Sequence, residues 1–355
     1  MKKIFIVHIF FWVCFFTIPI SLFLQDCFSF PEAPYPPSPV IESITWNKET
    51  HKHFSPGSDN WPMTWSDNGH IYTAWGDGGG FGGTNQNSRV SLGVARIVGN
   101  ADDYQGINIW GGKNALNPAQ FKGKSYGLLS VDGVLYMAFF SQEGVAPYKI
   151  GQFAVSYDHG ATFQRGFKFE EPDAAFAVCT FLNFGQDYQN SRDNYVYIYS
   201  GQPIDGCIDR CIGKDIFLAR VGKSKIMHRK FYEFFSGLDS HKNPTWSHKL
   251  VDRKPVFTDK NGAGVRFGVI YNPGIKRYLL TISHDNRGGL GIFDSPEPWG
   301  HWTTVDYYNK WYLGYSPSYH IAPQKWMRSD GTSFILVWSS KDRLNTMRGT
   351  FKLRE

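Results

Sequence analysis

Five times along this chain an apolar strand runs into a polar turn and then into a strongly aromatic strand, and that recurrence restricts the fold more than any other feature. The instances are MTWSDNGHIYTAWGD (63–77), LLSVDGVLYMAFF (128–140), SRDNYVYIYSG (191–201), VIYNPGIKRYLLTISH (269–284) and WMRSDGTSFILVWSS (326–340). Several are followed by a further strand carrying small residues: VSLGVARIV (90–98), IGQFAVSYD (150–158), DIFLARV (215–221) and GLGIFDSP (289–296). The turns near 68, 132, 193, 274 and 330 recur about every 60 residues, the length of a propeller blade with long loops. The pattern predicts an all-β, single-domain, five-bladed β-propeller. A sandwich or a β-helix would account for the strands but not for their spacing.

Composition agrees. Aromatic residues make up 17% of the chain, with 37 Gly and 19 Pro, which suits many short strands and tight turns. Ser156-Tyr157-Asp158-His159-Gly160-Ala161-Thr162-Phe163 matches the S-x-D-x-G-x-T-[WF] Asp-box turn of sialidase-like propellers. There the Ser and Asp side chains bond local backbone, so Asp158 is read as structural, not catalytic. The formal charge of +6 is mild for 355 residues and no long Lys/Arg run occurs, which argues against a nucleic-acid partner.

Lys2 and Lys3 precede an apolar stretch from Ile4 to Leu24, an export signal with a positive leading region. No clean small-residue cleavage site follows, so residues 1–25 are expected to be either a signal peptide or an uncleaved membrane anchor through 4–24. The protein is therefore expected in the periplasm or outside the cell. Residues 26–40 read as a proline-rich linker, and 41–355 as the propeller, expected to be a monomer. Cys179, Cys207 and Cys211 fall in the folded part, and Cys207 and Cys211 are the closest pair for a disulfide in an oxidising compartment. No ligand spacing suggests a metal, and no cofactor is expected.

The most unusual segment is GSDNWP (57–62) followed by WGDGGGF (75–81). A hairpin out and back spans the 18 residues between Asp59 and Asp77, so both carboxylates are expected to face the central channel from the innermost strands of one blade. Two carboxyl groups flanking a cavity are the minimum equipment for glycosidic cleavage, one protonating the leaving oxygen and the other activating water or attacking. Glycines after Asp77 allow a polymer to approach the backbone. The structural reading is that Asp59 caps a turn beside Ser58 while Asp77 pins the glycine loop. The G-x-G-x-x-G at 78–83 leads into loop and strand, not helix, which argues against nucleotide binding; Gly123-Lys124-Ser125 fails as a P-loop because position 118 is Pro.

GSDNWPMTWSDNGHIYTAWGDGGGFGG, SRVSLGVARI, GIFDSPEPWGHWTTV and the terminal NTMRGTFKL resemble a bacterial propeller family long labelled as unknown in function, some members of which are endo-D-arabinanases, glycoside hydrolase family 183. The resemblance spans about residues 41–353. It implies a five-bladed propeller that hydrolyses internal α-linked D-arabinofuranosyl bonds, with the family's paired catalytic aspartates at Asp59 and Asp77. Asp77 is expected as general acid and Asp59 as base, in an inverting arrangement. Asp215, opening DIFLARV, is a candidate third acidic group, or else a strand-end turn residue. Trp61 and Trp75 flank the aspartates and are candidate stacking platforms for sugar rings. Arg96, Arg220, His284, Tyr319 and His320 are further candidate sugar contacts, with blade ion pairs and core packing as the alternatives. The function expected is an exported glycoside hydrolase acting on a furanoside polysaccharide. A non-catalytic carbohydrate-binding propeller is the alternative, and a sialidase-type enzyme ranks behind both because only one good Asp-box occurs.

Overall fold

The computed structural model describes residues 31–142, 151–169, 176, 178–201, 213–264, 266–284, 288–311 and 318–355, and Glu32–Glu355 form one compact unit. Among the described residues no helix is long and apolar enough to cross a membrane; the apolar stretch 4–24 and the pair Cys207 and Cys211 lie outside them. Cys179 is a free, buried thiol.

The described residues of the unit form strands, with only short 3-10 turns besides. In chain order they are β1 (Ile41–Phe54), β2 (Asp59–Trp65), β3 (Ile71–Gly76), β4 (Leu92–Val98), β5 (Gln105–Trp110), β6 (Gly123–Val131), β7 (Val134–Ser141), β8 (Gly151–Ser156), β9 (Gln164–Lys168), β10 (Val178–Asn183) and β11 (Tyr195–Gly201). There follow β12 (Asp215–Gly222), β13 (Glu233–Leu238), β14 (Pro244–Ser247), β15 (Pro255–Thr258), β16 (Gly268–Asn272), β17 (Arg277–His284), β18 (Gly289–Ser295), β19 (Thr303–Tyr308), β20 (Ser318–Ile321), β21 (Ser333–Ser339) and β22 (Leu344–Leu353). The hairpin turns anticipated from sequence near 68, 132, 193, 274 and 330 fall between β2 and β3, β6 and β7, β10 and β11, β16 and β17, and β20 and β21.

Strands that follow one another pair antiparallel. β2–β5 make one sheet and β6–β9 a second. β10–β14 and β16–β19 make two meanders joined by a short parallel pairing of Leu182 with Val269 and Asn183 with Ile270. In the last sheet, β20–β22 are completed by β1 from the opposite end of the chain. The turn chemistry explains the registers. Val131 faces Val134 across a two-residue loop, and Asp132 (φ +51°) with Gly133 (φ +77°) supply the positive φ pair that such a tight hairpin demands. The Asp-box turn forms as its motif predicts: Ser156 Oγ donates to Asp158 Oδ1 at 2.8 Å, Thr162 N donates to the same oxygen at 2.9 Å, and Phe163 is buried.

The first strand of each meander touches the next: β2 meets β6, β6 meets β10, β10 pairs with β16, β16 meets β20, and β20 returns to β2. Pro62, Leu128, Thr180, Gly268 and His320, one from each of these strands, line a cavity of about 10 Å³, room for a single water. The core lies between neighbouring sheets. Tyr72, Leu92 and Val94 pack on Leu128, Leu135 and Met137 between the first and second, while Ile71, Ala95 and Ile97 pack on Ile335, Val337 and Leu344 between the first and last.

The described part of the proline-rich segment is not a free spacer. Thr304 N donates to Pro36 O and Ser38 N to Thr304 O, both at 2.8 Å, and the Tyr35 ring lies 5.1 Å from Phe257 and 6.0 Å from Phe293. Extended proline-rich backbone lacks donors but offers carbonyls, which is what the outer edge of β19 can use.

Candidate active site

Asp59 opens β2 and stands opposite Gly76, the last residue of β3, so the hairpin brings Asp77 directly beside it. The backbone here departs from regular strand. Asn60 (φ +78°), Trp61 (φ +65°) and Asp77 (φ +57°) all lie in the left-handed region, and the β2–β3 register slips between Asn60 and Met63. Such conformations are disfavoured for side chains with a Cβ and recur at functional sites. The loop after Asp77 folds back on the turn before Asp59: Gly80 N donates to Ser58 Oγ at 3.1 Å, and Val90 N to Gly78 O at 2.9 Å. Gly78 has no alternative, since a methyl group there would sit 2.4 Å from Gly57 O, at φ +63°.

Three cations converge on the pair. Lys124, from β6 in the neighbouring sheet and only 7% exposed, forms an ion pair with Asp77 Oδ2. Arg89 Nη2 lies 2.6 Å from Asp77 Oδ1. Arg266 Nη1 lies 3.9 Å from Asp59 Oδ2. A methyl group placed on Gly76 would come within 2.6 Å of Asp59 Oδ1 and 3.3 Å of Lys124 Nζ; the two distances share one point, so that oxygen and the ammonium are at most 5.9 Å apart. Lys124 thus pairs with Asp77 while its ammonium stays close to Asp59, so one buried cation stands between the two carboxylates.

The two carboxyls live in unlike surroundings. Asp59 is 9% exposed, and its Oδ1 is buried with no hydrogen-bond partner among the described residues. Burial pushes its carboxyl above the ordinary aspartate value; Arg266 and Lys124 oppose that, while Asp77 and Asp342 reinforce it. Asp77 is about a third exposed and held between two cations. Of the two, Asp59 is the carboxyl whose surroundings favour the protonated form, and Asp77 is the one paired directly with cations.

Several residues expected near sugar are elsewhere. Trp61 and Trp75 are wholly buried and stack on each other, 5.6 Å apart at 25°, so neither presents a face to a ligand. The bulge at Asn60 turns Trp61 into the core, where its Nε1 donates to Ser58 O at 3.2 Å. Arg96 and Arg220 occupy the third strands of two meanders, opposite Tyr72 and Tyr197. Arg220 pairs with Glu233 Oε2 at 2.7 Å and lies 4.2 Å from both the Tyr195 and Trp246 rings, an outer-sheet clasp. Arg96 stands at the far end of β4 from Leu92, the residue opposite Gly76. Asp215 begins the third strand of its meander and accepts from Thr258 Oγ1 at 2.6 Å, tying β15 to β12. His284 is buried and stacks on Tyr307 at 3.8 Å. Tyr319 is core, its hydroxyl donating to Gly288 O at 3.2 Å. His320 lines the small central cavity, and burial pushes its imidazole down to about 4, so it is neutral at pH 7. Among the described residues no three His, Cys, Asp or Glu side chains converge to hold a metal.

Lys124, Arg89 and Arg266 were not singled out as site residues by sequence. Lys124 was visible only as part of a failed P-loop, and nothing in one sequence says that β6 delivers it to the end of β3.

A family model described as "Domain of unknown function (DUF4185)" matches residues 125–348, a span that starts beyond both aspartates. No curated protein sequence matches the chain. Among solved structures, a "putative hydrolase" from Bacteroides ovatus ATCC 8483 superposes with a TM-score of 0.53 at 10% identity, over 86% of this chain and 87% of that one, a likeness of fold. A GH43_1 enzyme from Xanthomonas citri gives 0.47 at 12% identity over 85% and 90% of the two chains. A family 117 glycoside hydrolase from the marine bacterium Zobellia galactanivorans gives 0.45 at 8% identity over 88% of each.

Proposed function

Because the chain belongs to the DUF4185 family, whose name assigns no chemistry, the activity has to be read from the site, and we propose an exported glycoside hydrolase that cleaves internal furanosidic linkages of an extracellular polysaccharide, D-arabinan by resemblance. The observation that carries this is the pairing of a buried Asp59, whose carboxyl burial pushes above its ordinary value, with an ion-paired Asp77 at the end of one hairpin. Asp59 protonates the leaving glycosidic oxygen. Asp77 orients and activates water on the opposite face, and its negative charge stabilises the oxocarbenium-like transition state. Arg266 and Lys124 keep the conjugate base of Asp59 from being prohibitively costly after proton transfer. The scaffold is read as a five-bladed propeller, supported by the cycle of contacts among β2, β6, β10, β16 and β20. Export is read from residues 1–25, as a cleaved signal or a tether, and the single domain from 41 onward.

Incubating the full chain with arabinan releases oligosaccharides on this reading, and Asp59→Asn or Asp77→Asn lowers the rate by about 10² or more with the fold intact by circular dichroism. Full activity in either variant refutes the assignment. A second reading, a carbohydrate-binding propeller without turnover, is favoured by the low exposure of Asp59 and the double pairing of Asp77. It predicts arabinan binding by the wild type with no release at any pH.

A further inference from the structure

Charge is spread unevenly over the molecule. Residues 223–231, KSKIMHRKF, hold four Lys and Arg and no Asp or Glu, and they form the connection from β12 to β13. The connection is firmly built. His228 N donates to Lys225 O at 2.9 Å, Phe231 N to His228 O at 3.1 Å and Tyr232 Oη to Ile226 O at 2.7 Å, while Met227 lies against Gly166 of β9. His248 Nδ1 is 3.0 Å from Tyr232 O, which brings the turn Leu250–Asp252 alongside. Each of the two turns holds an apolar side chain in water: Phe231 is 40% exposed and Val251 is 81% exposed. Lys225 Nζ and Lys230 Nζ lie 5.3 and 5.1 Å from the centre of the Phe231 ring, and Lys249 and Lys254 bracket Val251 along the chain. All four lysines are exposed, and none is in an ion pair among the described residues. The carboxylates nearest in sequence are engaged: Glu233 pairs with Arg220 at 2.7 Å, and Asp252 Oδ2 accepts from Ser247 Oγ at 2.6 Å.

Lone ammonium groups on flexible stems around exposed apolar tips suit a diffuse anionic surface. A defined carboxylate or phosphate ester is gripped better by the planar fork of Arg, and a sugar or a base needs an open aromatic face. Here the exposed cations are lysines, two of them crowd the Phe231 ring, and Val251 has no face to offer. Lysine stems can carry their charge to phosphate headgroups while the apolar tips enter the acyl boundary. The path of the chain agrees. Thr258 N donates to Tyr35 Oη and Asn261 Nδ2 to Glu32 O, both at 2.9 Å, so the proline-rich segment meets the same meander at β15, which follows Lys254 directly. Seven residues separate Glu32 from Leu24, the end of the apolar stretch, a reach of less than about 30 Å. On the anchor reading of 4–24, that reach keeps the meander near a bilayer. We propose that the turns carrying Phe231 and Val251 dock on an anionic lipid bilayer, with Lys225, Lys230, Lys249 and Lys254 among its phosphates. This surface is separate from the carboxylate pair and does not depend on the hydrolase reading.

The test is amine acylation of the full chain, followed lysine by lysine by mass spectrometry, because it reads the patch whether or not residues 4–24 insert. The chain is mixed with vesicles of phosphatidylcholine alone, with vesicles containing about 30% phosphatidylglycerol, or with an oligogalacturonate, at about 50 and 300 mM NaCl. On the anionic vesicles at low salt the four lysines should react about five- to tenfold more slowly than on phosphatidylcholine, and most of the rate should return at high salt. Lys48, exposed on β1, should react equally on both. Val251→Asp should remove most of the protection without shifting the thermal midpoint, because the side chain is exposed. Lys225→Glu combined with Lys230→Glu should free Lys249 and Lys254 to react as they do on phosphatidylcholine. Equal reactivity on the two kinds of vesicle, or unchanged protection in either variant, overturns the proposal. Protection by oligogalacturonate and not by vesicles assigns the patch to an acidic glycan and overturns the membrane partner.

Discussion

Replacing Lys124 by Met removes the charge that Asp59 and Asp77 share while preserving most of the side-chain volume. The ammonium lies at most 5.9 Å from Asp59 Oδ1. A unit charge at that separation interacts by about 0.7 kcal/mol with water-like screening and by about 2.8 kcal/mol at an effective dielectric near 20. At about 1.4 kcal/mol per pH unit, these bracket a rise of about 0.5 to 2 units in the Asp59 value. The sign follows from the role. Lys124 favours the charged form of Asp59, so without it the carboxyl holds its proton to higher pH. A general acid works only while protonated, so the alkaline limb of kcat/KM against pH moves upward by that amount. Arabinan hydrolysis by the full chain across pH 4–9 reads the limb, even if kcat also falls because Asp77 keeps only Arg89. Lys124→Arg, which retains the charge, should leave the limb close to its original place. An alkaline limb that stays put in a folded Lys124→Met protein would refute the claim that Asp59 is the acid sensed by this lysine.

Two more outcomes separate structure from chemistry. Trp61→Ala should cost about 3–5 kcal/mol of stability, read from a urea midpoint, because it empties a wholly buried site stacked on Trp75; unchanged stability with lost sugar binding would restore its role as a platform. Asp158→Ala should cost about 1 kcal/mol near neutral pH with activity unchanged. Slight burial pushes the Asp158 carboxyl up, but the bonds from Thr162 and Ser156 outweigh it and hold the group below its usual value. Its contribution is therefore complete above the unfolded value of about 3.9 and disappears as pH falls through the lower folded one. A difference in denaturation midpoint that persists into strong acid would contradict the turn's electrostatics.

The sequence was most informative where local chemistry decides the outcome. Asp132-Gly133 dictates a two-residue hairpin, and Ser156 to Phe163 builds its own hydrogen-bonded turn, so neither depends on distant residues. Asp59 and Asp77 could be paired in thought because one hairpin joins them. The cations around them could not, since Lys124 arrives from a strand of the neighbouring sheet and Arg266 from the loop before β16, and only packing sets their distance. Trp61 was misjudged for a local reason that periodicity hides: a single bulge at Asn60 reverses which way the ring points. Arg96 and Arg220 recur in two repeats, VARI and LARV, and that recurrence marks a shared place opposite a tyrosine of the neighbouring strand, in keeping with the structural alternative.

The pairing of β1 with β22 sets an order of events for a newly made chain. Ile41–Phe54 is synthesised about 290 residues before its partner Leu344–Leu353. Until Leu344–Leu353 has emerged, one long strand lacks its hydrogen-bonding partner and must be kept from adhering to other chains. Completion of the last sheet is thus a proofreading step in effect: a molecule truncated before Leu344 leaves both β1 and β21 with an unpaired edge.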